Sequence, residues 1–436
     1  MVQSQATISS GPAKELSEFS LMGALAGRRA RRFGLGMEIP SGPLAFRSRH
    51  EPVPLSDAEQ AVLVAAATGV SGWNFGVPHG PHQPDEHGSF TLRYTGRTAP
   101  TAAGIGTPVL FYTDDNGTYV TNTRDVEPKS MAGTNEVGGD LAQIVDVCRE
   151  HTTKLSDNRL DVPAAAPHML EPNTWMANAP GSTLFMPMAD ASEQYLAMLA
   201  LFVANGYVMA DDRAGRTAGE LAPFIRSGLL DEQKPFPLSV LDQVVHESTC
   251  AEVSFMAHNV VLAMQAIGLG GLYFNGLNRW SVLGAFADDG IEGLGFTFAH
   301  DEEWTVPNPV GLDGIFEGSC PPYHPDMRSA VEAMVHRKFG PGGAYDPSTP
   351  GPWNRSDLVK GSVTPHSDEF VDCLTEIAQY TYDTYGRIPG TVQTMILTGF
   401  AQAVHIDTEY YDTHFAPGTY LETHANHMQR WHSHTD

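Results

Sequence analysis

One stretch of this chain cannot be left in water. Val244–Gly271 reads VVHESTCAEVSFMAHNVVLAMQAIGLGG and is apolar around most of a helical circumference. A helix of that kind is driven to the centre of a fold, where neighbours cover all its sides. Gly268, Gly270 and Gly271 end it, because glycine accepts the left-handed cap conformation that stops a helix. The rest of the chain must supply the shell. With 436 residues, 42% of them hydrophobic, it can build one large elaborated domain or two to three ordinary ones.

That shell is expected to be mixed. A helix is predicted over Asp57–Thr68, with Ser56 as N-cap, Glu59 as its capping-box partner and Gly69 as the stop. Val109–Thr113 and Thr118–Thr121 flank Asp114-Asp115-Asn116-Gly117, a strong hairpin signal. Thr183–Met188 reads as a short strand, against which Pro187 argues. Further helices are expected over residues 138–154, Ser192–Asn205, 325–338, 367–384 and 416–432, with residues 302–324 irregular. Few strands among many helices point to the α+β class. The expected organisation is an N-terminal arm (1–45), a core (46–338) with an insertion around 155–238, and a C-terminal extension (339–436). No GxGxxG follows a strand and no GxxxxGK[ST] exists, which argues against a Rossmann dinucleotide site and a P-loop.

Charge narrows the partners. The formal net charge is −25, from 26 basic and 51 acidic residues, which disfavours nucleic acid and anionic membrane surfaces. No run of about 18 apolar residues is found, so no membrane-spanning helix is expected. The first residues lack the basic start and apolar core of a secretory signal. Cys148, Cys250, Cys320 and Cys373 are scattered without CxxC spacing, and reduced thiols in a cytoplasmic protein are expected. Against the acidic background, Arg28, Arg29, Arg31, Arg32, Arg47 and Arg49 stand out. Arg47-Ser48-Arg49 precedes a step held extended by Pro52 and Pro54 and then the capped helix, a natural seat for an anion.

Arg47-Ser48-Arg49, Pro52-Val53-Pro54-Leu55 and a helix ending Ala65-Ala66-Ala67-Thr68-Gly69 together resemble the N-terminal pattern of the nitroreductase superfamily, FMN-dependent α+β proteins. Within it the nearer likeness is to the thiazole- and oxazole-forming dehydrogenase branch. Ser71-Gly72-Trp73-Asn74 resembles the family's Ser-x-x-Asn turn, Thr98–Gly104 its small-residue turn, and His258–Gly271 its central helix and glycine exit. The resemblance implies a nitroreductase-like fold with an antiparallel-rich central sheet. It also implies FMN, with the phosphate on Arg47, Ser48 and Arg49, the flavin ring near Ser71 and Asn74, and backbone N–H groups of Gly270 and Gly271 beside it. It implies a homodimer that moves hydride between flavin and a small organic substrate, a nitro compound, a quinone or an amino-acid-derived heterocycle, with NAD(P)H as electron donor.

The tail from Val404 to Asp436 offers a different chemistry. His405, Asp407, His424 and His427 are candidate ligands of a transition metal, since imidazole and carboxylate bind zinc, iron, nickel or copper. They would make this a metal-dependent enzyme without FMN. A non-catalytic subunit of a biosynthetic complex is a further alternative. His432 and His434 lie near a frayable end and are expected to matter least. His246 and Cys250 share a helix face at i, i+4. His79, His82 and His87 sit in a Pro/Gly loop, read as surface or as a substrate lid.

Overall fold

The computed structural model describes residues 16, 18–78, 91–127, 137–301 and 304–432. Its main sheet is built from β1 (Val109–Asp114), β2 (Gly117–Thr121), β3 (Thr152–Ser156), β4 (Thr183–Asp190), β5 (Gly270–Phe274) and β6 (Phe400–Val404). The spatial order is β5-β6-β4-β1-β2-β3, with antiparallel neighbours throughout, and Met395–Ile396 also pairs with β4. Helices with mostly antiparallel sheets make this an α+β architecture, in keeping with the sparse strand pattern of the sequence.

All six residues of β1 are buried, so both faces of the sheet are covered. The two-residue period then sorts its side chains. Leu110 and Tyr112 join a cluster with α1 (Asp57–Thr68) and the long α4 (Leu238–Ile267). Val109 and Phe111 point the other way, into a cluster with Phe33, Met176, Phe296 and Phe316. β4 follows the same rule, with Phe185 on the helix side and Leu184, Met186 and Met188 opposite.

Pro187 sits inside this central strand, opposite Leu110. Proline donates no ladder hydrogen bond. On its other side, however, β4 pairs with β6 only over residues 183–185 and with Met395–Ile396 only over residues 189–190. The proline occupies the gap between the two partners.

α1 runs from Asp57 to Thr68, and Ser56 and Glu59 form the expected reciprocal capping box. It lays Leu63, Val64 and Ala67, all nearly inaccessible, against the core. Each such Leu or Val side chain contributes about 1.5–3 kcal/mol by leaving water. α4 is longer than the pattern predicts, 30 residues, and ends at Gly268 in the left-handed conformation. By length and composition alone it is apolar enough to cross a membrane, contrary to expectation, and half of its most apolar window is buried inside the protein. Its N-terminal half packs with α3 (Ala191–Ala204), α5 (Met327–Phe339) and α6 (Asp368–Tyr385), and its C-terminal half with α1 and the sheet.

Three expectations change. Residues 302–324 are not wholly irregular: Asn308–Leu312 and Phe316–Glu317 are strands that pair with each other, and the first also pairs with Thr297–Ala299. Pro309 and Gly311 hide that strand from a pattern reading. The helix expected over 416–432 is two short pieces, α8 (Glu422–Ala425) and α9 (His427–Trp431), preceded by α7 (Thr408–His414). And the presumed C-terminal extension supplies β6, an interior strand of the main sheet. α2 (Val137–Glu150) covers the helix expected over 138–154 only as far as Glu150, since Thr152 begins β3.

Candidate metal centre

Where β6 ends, the tail returns to the first turn of α1. There Glu59 Oε1 meets three imidazole nitrogens: His405 Nε2 at 3.1 Å, His427 Nε2 at 2.5 Å and His432 Nε2 at 3.0 Å. His432 Nε2 and His405 Nε2 are 3.2 Å apart. The four ligand atoms all lie within 4.8 Å of one another. Glu59 is fully buried, His405 and His427 nearly so, and the side chain of His432 is 17% exposed.

Local structure aims each group. The capping box fixes Glu59: its Oε2 accepts the Ser56 backbone N–H at 2.5 Å, leaving Oε1 for the imidazoles. His405 Nδ1 is 2.8 Å from the carbonyl of Val53, which the flanking prolines hold extended. His427 Nδ1 is 2.6 Å from the carbonyl of Ile267, the last residue of α4. That carbonyl has no partner within the helix, so the imidazole satisfies it. A carbonyl can only accept, so both Nδ1 atoms carry the proton, and Nε2 of each ring faces Glu59, as an N–H when the ring is cationic and as a lone pair open to a metal when it is neutral. An imidazole whose outer N–H is anchored on a carbonyl is the usual arrangement around a bound metal.

Electrostatically the cluster attracts positive charge. Burial by itself would raise the Glu59 carboxyl, but hydrogen bonds from His405, His427 and His432 hold it far below the usual carboxylate range. The bond to Glu59 in turn raises His432, against burial. A buried carboxylate facing lone pairs is costly unless a proton or a cation sits among them. A tetrahedral ion about 2.0–2.2 Å from each atom would space the ligands roughly 3.3 Å apart. The observed 2.5–3.2 Å edges need to open by a few tenths of an ångström at most of them, and most at His427.

Of the residues expected to bind metal, the structure brings His405 and His427 together and places the other two elsewhere. Asp407 caps α7, accepting the N–H groups of Glu409 and Tyr410. His424 is buried beside Leu421 and Thr423, and burial with nearby Arg31 lowers it to about 3. His432, expected to matter least, is instead in the cluster. Glu59 reads in the sequence only as a helix cap. No local signal marks it as a ligand, since its partners lie more than 340 residues away.

The residues expected on flavin are arranged differently. Arg47 Nε lies 3.6 Å from Glu38, and Arg49 Nη1 lies 3.0 Å from Glu409, both at the surface. The Ser48 hydroxyl donates to Asp407 at 2.6 Å. All three therefore meet carboxylates of this chain. Ser71 is exposed, and the Asn74 N–H donates to the Tyr94 carbonyl. Gly270 and Gly271 lie in β5, and the Gly271 N–H donates to the Arg31 carbonyl at 2.7 Å. A Cβ at Gly271 would come within 1.9 Å of the Gln402 carbonyl, so this glycine admits the neighbouring strand. Glu38–Ile39 and Phe46–Arg47 pair as a short antiparallel hairpin, and a cavity of about 410 Å³ adjoins its Glu38 side, with Met37, Glu38, Arg159 and Trp175 among its walls. Cys250 Sγ is 3.4 Å from His246 Nε2, and burial raises the thiol. All four cysteines are unpaired. The His79, His82 and His87 loop and His434 lie outside the described residues.

No protein-family model and no curated sequence matches the chain. Among solved structures, a protein from Ralstonia eutropha provisionally assigned as a nitroreductase is similar, at 15% identity and a TM-score of 0.27, over 60% of this chain and 71% of that one. An overlap of that quality bears on neither mechanism nor cofactor.

Proposed function

We propose that this chain is a metalloprotein holding one divalent transition-metal ion on Glu59, His405, His427 and His432. The observation that carries the reading is the convergence of three imidazole nitrogens on one buried carboxylate oxygen, with two rings oriented by backbone carbonyls. Three nitrogens and one oxygen suit zinc in tetrahedral geometry, with iron(II) or copper(II) as competitors. Four protein ligands with little exposure describe a closed centre of the kind that stabilises a fold rather than one that keeps a position open for substrate. Elemental analysis after zinc reconstitution tests this. One ion per chain is expected, lost in His405→Ala and in His427→Ala. A wild-type protein that takes up no zinc, iron or copper would end the reading.

A second reading is a nitroreductase-like, FMN-dependent oxidoreductase that acts on a nitro compound, quinone or amino-acid-derived heterocycle, works as a homodimer and draws electrons from NAD(P)H. Its support is the order of the Arg47–Arg49, Ser71–Asn74 and His258–Gly271 segments and the cavity beside the Arg47 hairpin, whose volume is in the range of small-molecule sites. FMN would supply the hydride chemistry. Among the described residues Arg47 and Arg49 are held by exposed ion pairs, worth about 0–1 kcal/mol each, which a phosphate can displace. Purified protein that shows no flavin absorbance and binds no added FMN excludes it.

A further inference from the structure

The cavity beside the Glu38–Arg47 hairpin has uneven walls, and the unevenness selects a ligand. At about 410 Å³ it has room for a small organic molecule. Its apolar lining includes Met37 and Met169, both buried, and the half-buried indole of Trp175, which stacks on Phe33 at 6.1 Å. Three charged side chains also line it, Glu38, Arg159 and Asp161. Of these the cation is already engaged. Arg159 Nε and Nη2 both donate to Asp115 Oδ1, at 3.1 and 2.6 Å. Its Nη2 also donates to the Ser182 carbonyl and its Nη1 to Asn178 Oδ1. Glu38 lies 3.6 Å from Arg47, a weak tie between two exposed groups. Asp161 is exposed and has no partner among the described residues. The lining therefore presents negative charge, within a chain whose net charge is −25.

One wall is also held in shape before any ligand arrives. Asn178 has a φ of 54°, a left-handed conformation that a residue other than glycine keeps when its surroundings fix it. Here its N–H donates to Gln402 Oε1 at 2.8 Å and its Nδ2 to the Leu160 carbonyl at 2.7 Å. Gln402 Nε2 in turn donates to the Met176 carbonyl at 2.8 Å. Gln402 is a buried residue of β6, so residues 176–178 are fastened to the main sheet. A wall fixed in advance lowers the ordering cost of binding.

We propose that this cavity is a binding site for a small organic cation, an amine carrying an aromatic or aliphatic body. The body packs on Met37, Met169 and Trp175, and the ammonium is held by Asp161 and Glu38. The electron-rich indole face favours a cation further. A carboxylate or phosphate would meet two like charges and a guanidinium committed to Asp115. This goes beyond both readings of function, since it needs neither an ion on Glu59 nor flavin.

Isothermal titration of the full chain at low ionic strength tests this with three probes of one shape: 2-phenylethylamine, 2-phenylethanol and 3-phenylpropanoate. The amine is expected to bind about tenfold or more tighter than the alcohol, through two carboxylates and an indole, and the anion not at all. Asp161→Asn and Glu38→Gln, both at exposed positions the fold does not depend on, should each weaken the amine about threefold to fivefold. Binding of the alcohol should not change in either. Asp289→Asn, a surface acid outside the cavity, should leave all three probes as they were. No amine binding at millimolar concentration overturns the proposal. So does an amine that binds no tighter than the alcohol or the anion. An amine affinity that Asp161→Asn and Glu38→Gln leave intact, or that Asp289→Asn lowers as much, shows attraction to the acidic surface at large and overturns it too.

Discussion

Glu59→Gln separates a metal centre from a hydrogen-bonded histidine cluster. Glutamine keeps the shape, and its Oε1 can still accept the Ser56 N–H. Its amide N–H₂ then faces the imidazoles with two donors and can satisfy two of the three nitrogens without any ion. The anion, however, is gone from a fully buried position. Losing one partner of a buried charge pair costs about 3–5 kcal/mol, and at 1.4 kcal/mol per decade that is roughly two to three and a half orders of magnitude in metal affinity. Stability follows by linkage. Free metal at about 1,000 times Kd adds about 4 kcal/mol to the wild type. An unfolding entropy of roughly 2 cal/mol/K per residue over 436 residues converts this to a Tm shift of about 4–5 °C. Calorimetry with zinc and with EDTA, together with competition against a chromophoric chelator, measures both quantities. The wild type should lose those degrees in EDTA, and the variant, left with free metal at about 0.3–10 times its Kd, no more than about 1–2 °C. A variant that binds zinc within tenfold of the wild type, or loses as much Tm in EDTA, would refute the reasoning.

Glu252 on α4 is buried. Its Oε1 accepts the Ala102 N–H, its Oε2 accepts no hydrogen bond among the described residues, and burial, only partly offset by Arg97, raises it to about 7. A raised carboxyl binds more protons folded than unfolded, so its contribution is present below the ordinary carboxylate range and is lost as pH rises toward 7. Glu252→Gln should therefore gain stability relative to wild type between pH 5 and 8, each tenfold change in proton affinity being worth about 1.4 kcal/mol, and urea melts across that range will show a constant difference if this is wrong. Gly268→Ala should cost about 1–3 kcal/mol through its left-handed φ of 85°, with further loss from the Thr423 carbonyl it strikes, read as a lower Tm and faster cleavage in the tail. Phe111→Ala, fully buried between Phe296 and Phe316, should cost about 3–5 kcal/mol, whereas exposed Arg47→Ala should stay within about 0.5 kcal/mol in denaturant melts.

Short-range signals are legible in this sequence and long-range ones are not. Ser56, Glu59 and Gly69 announce α1 because a cap is a contact three residues long. The Asp114–Gly117 turn announces the β1–β2 hairpin for the same reason. The α+β class follows from counting such signals. The strand holding Pro187 is harder, because its fitness depends on where two other strands stop. The centre is half visible: His405 and His427 carry ligand chemistry in their side chains, but Glu59 has a complete local explanation as a cap, and His432 looks like an end. Ser48 likewise suits a phosphate until the fold sets Asp407 against it. A sequence shows which groups can ligate, and only topology shows which lone pairs are aimed at the same point.

The length of α4 ties the two halves of the molecule together. At about 1.5 Å per residue its 30 residues make a rod some 45 Å long, and it forms a wall of two separate hydrophobic clusters, one at each half. Chains of this size commonly open piecewise. Here the pieces share one uninterrupted ladder of backbone bonds, so neither cluster can come apart without fraying the other's wall. The slowest-exchanging amides should therefore run continuously along the middle of α4, and a chemical or thermal insult to one cluster should be felt as a loosening of both.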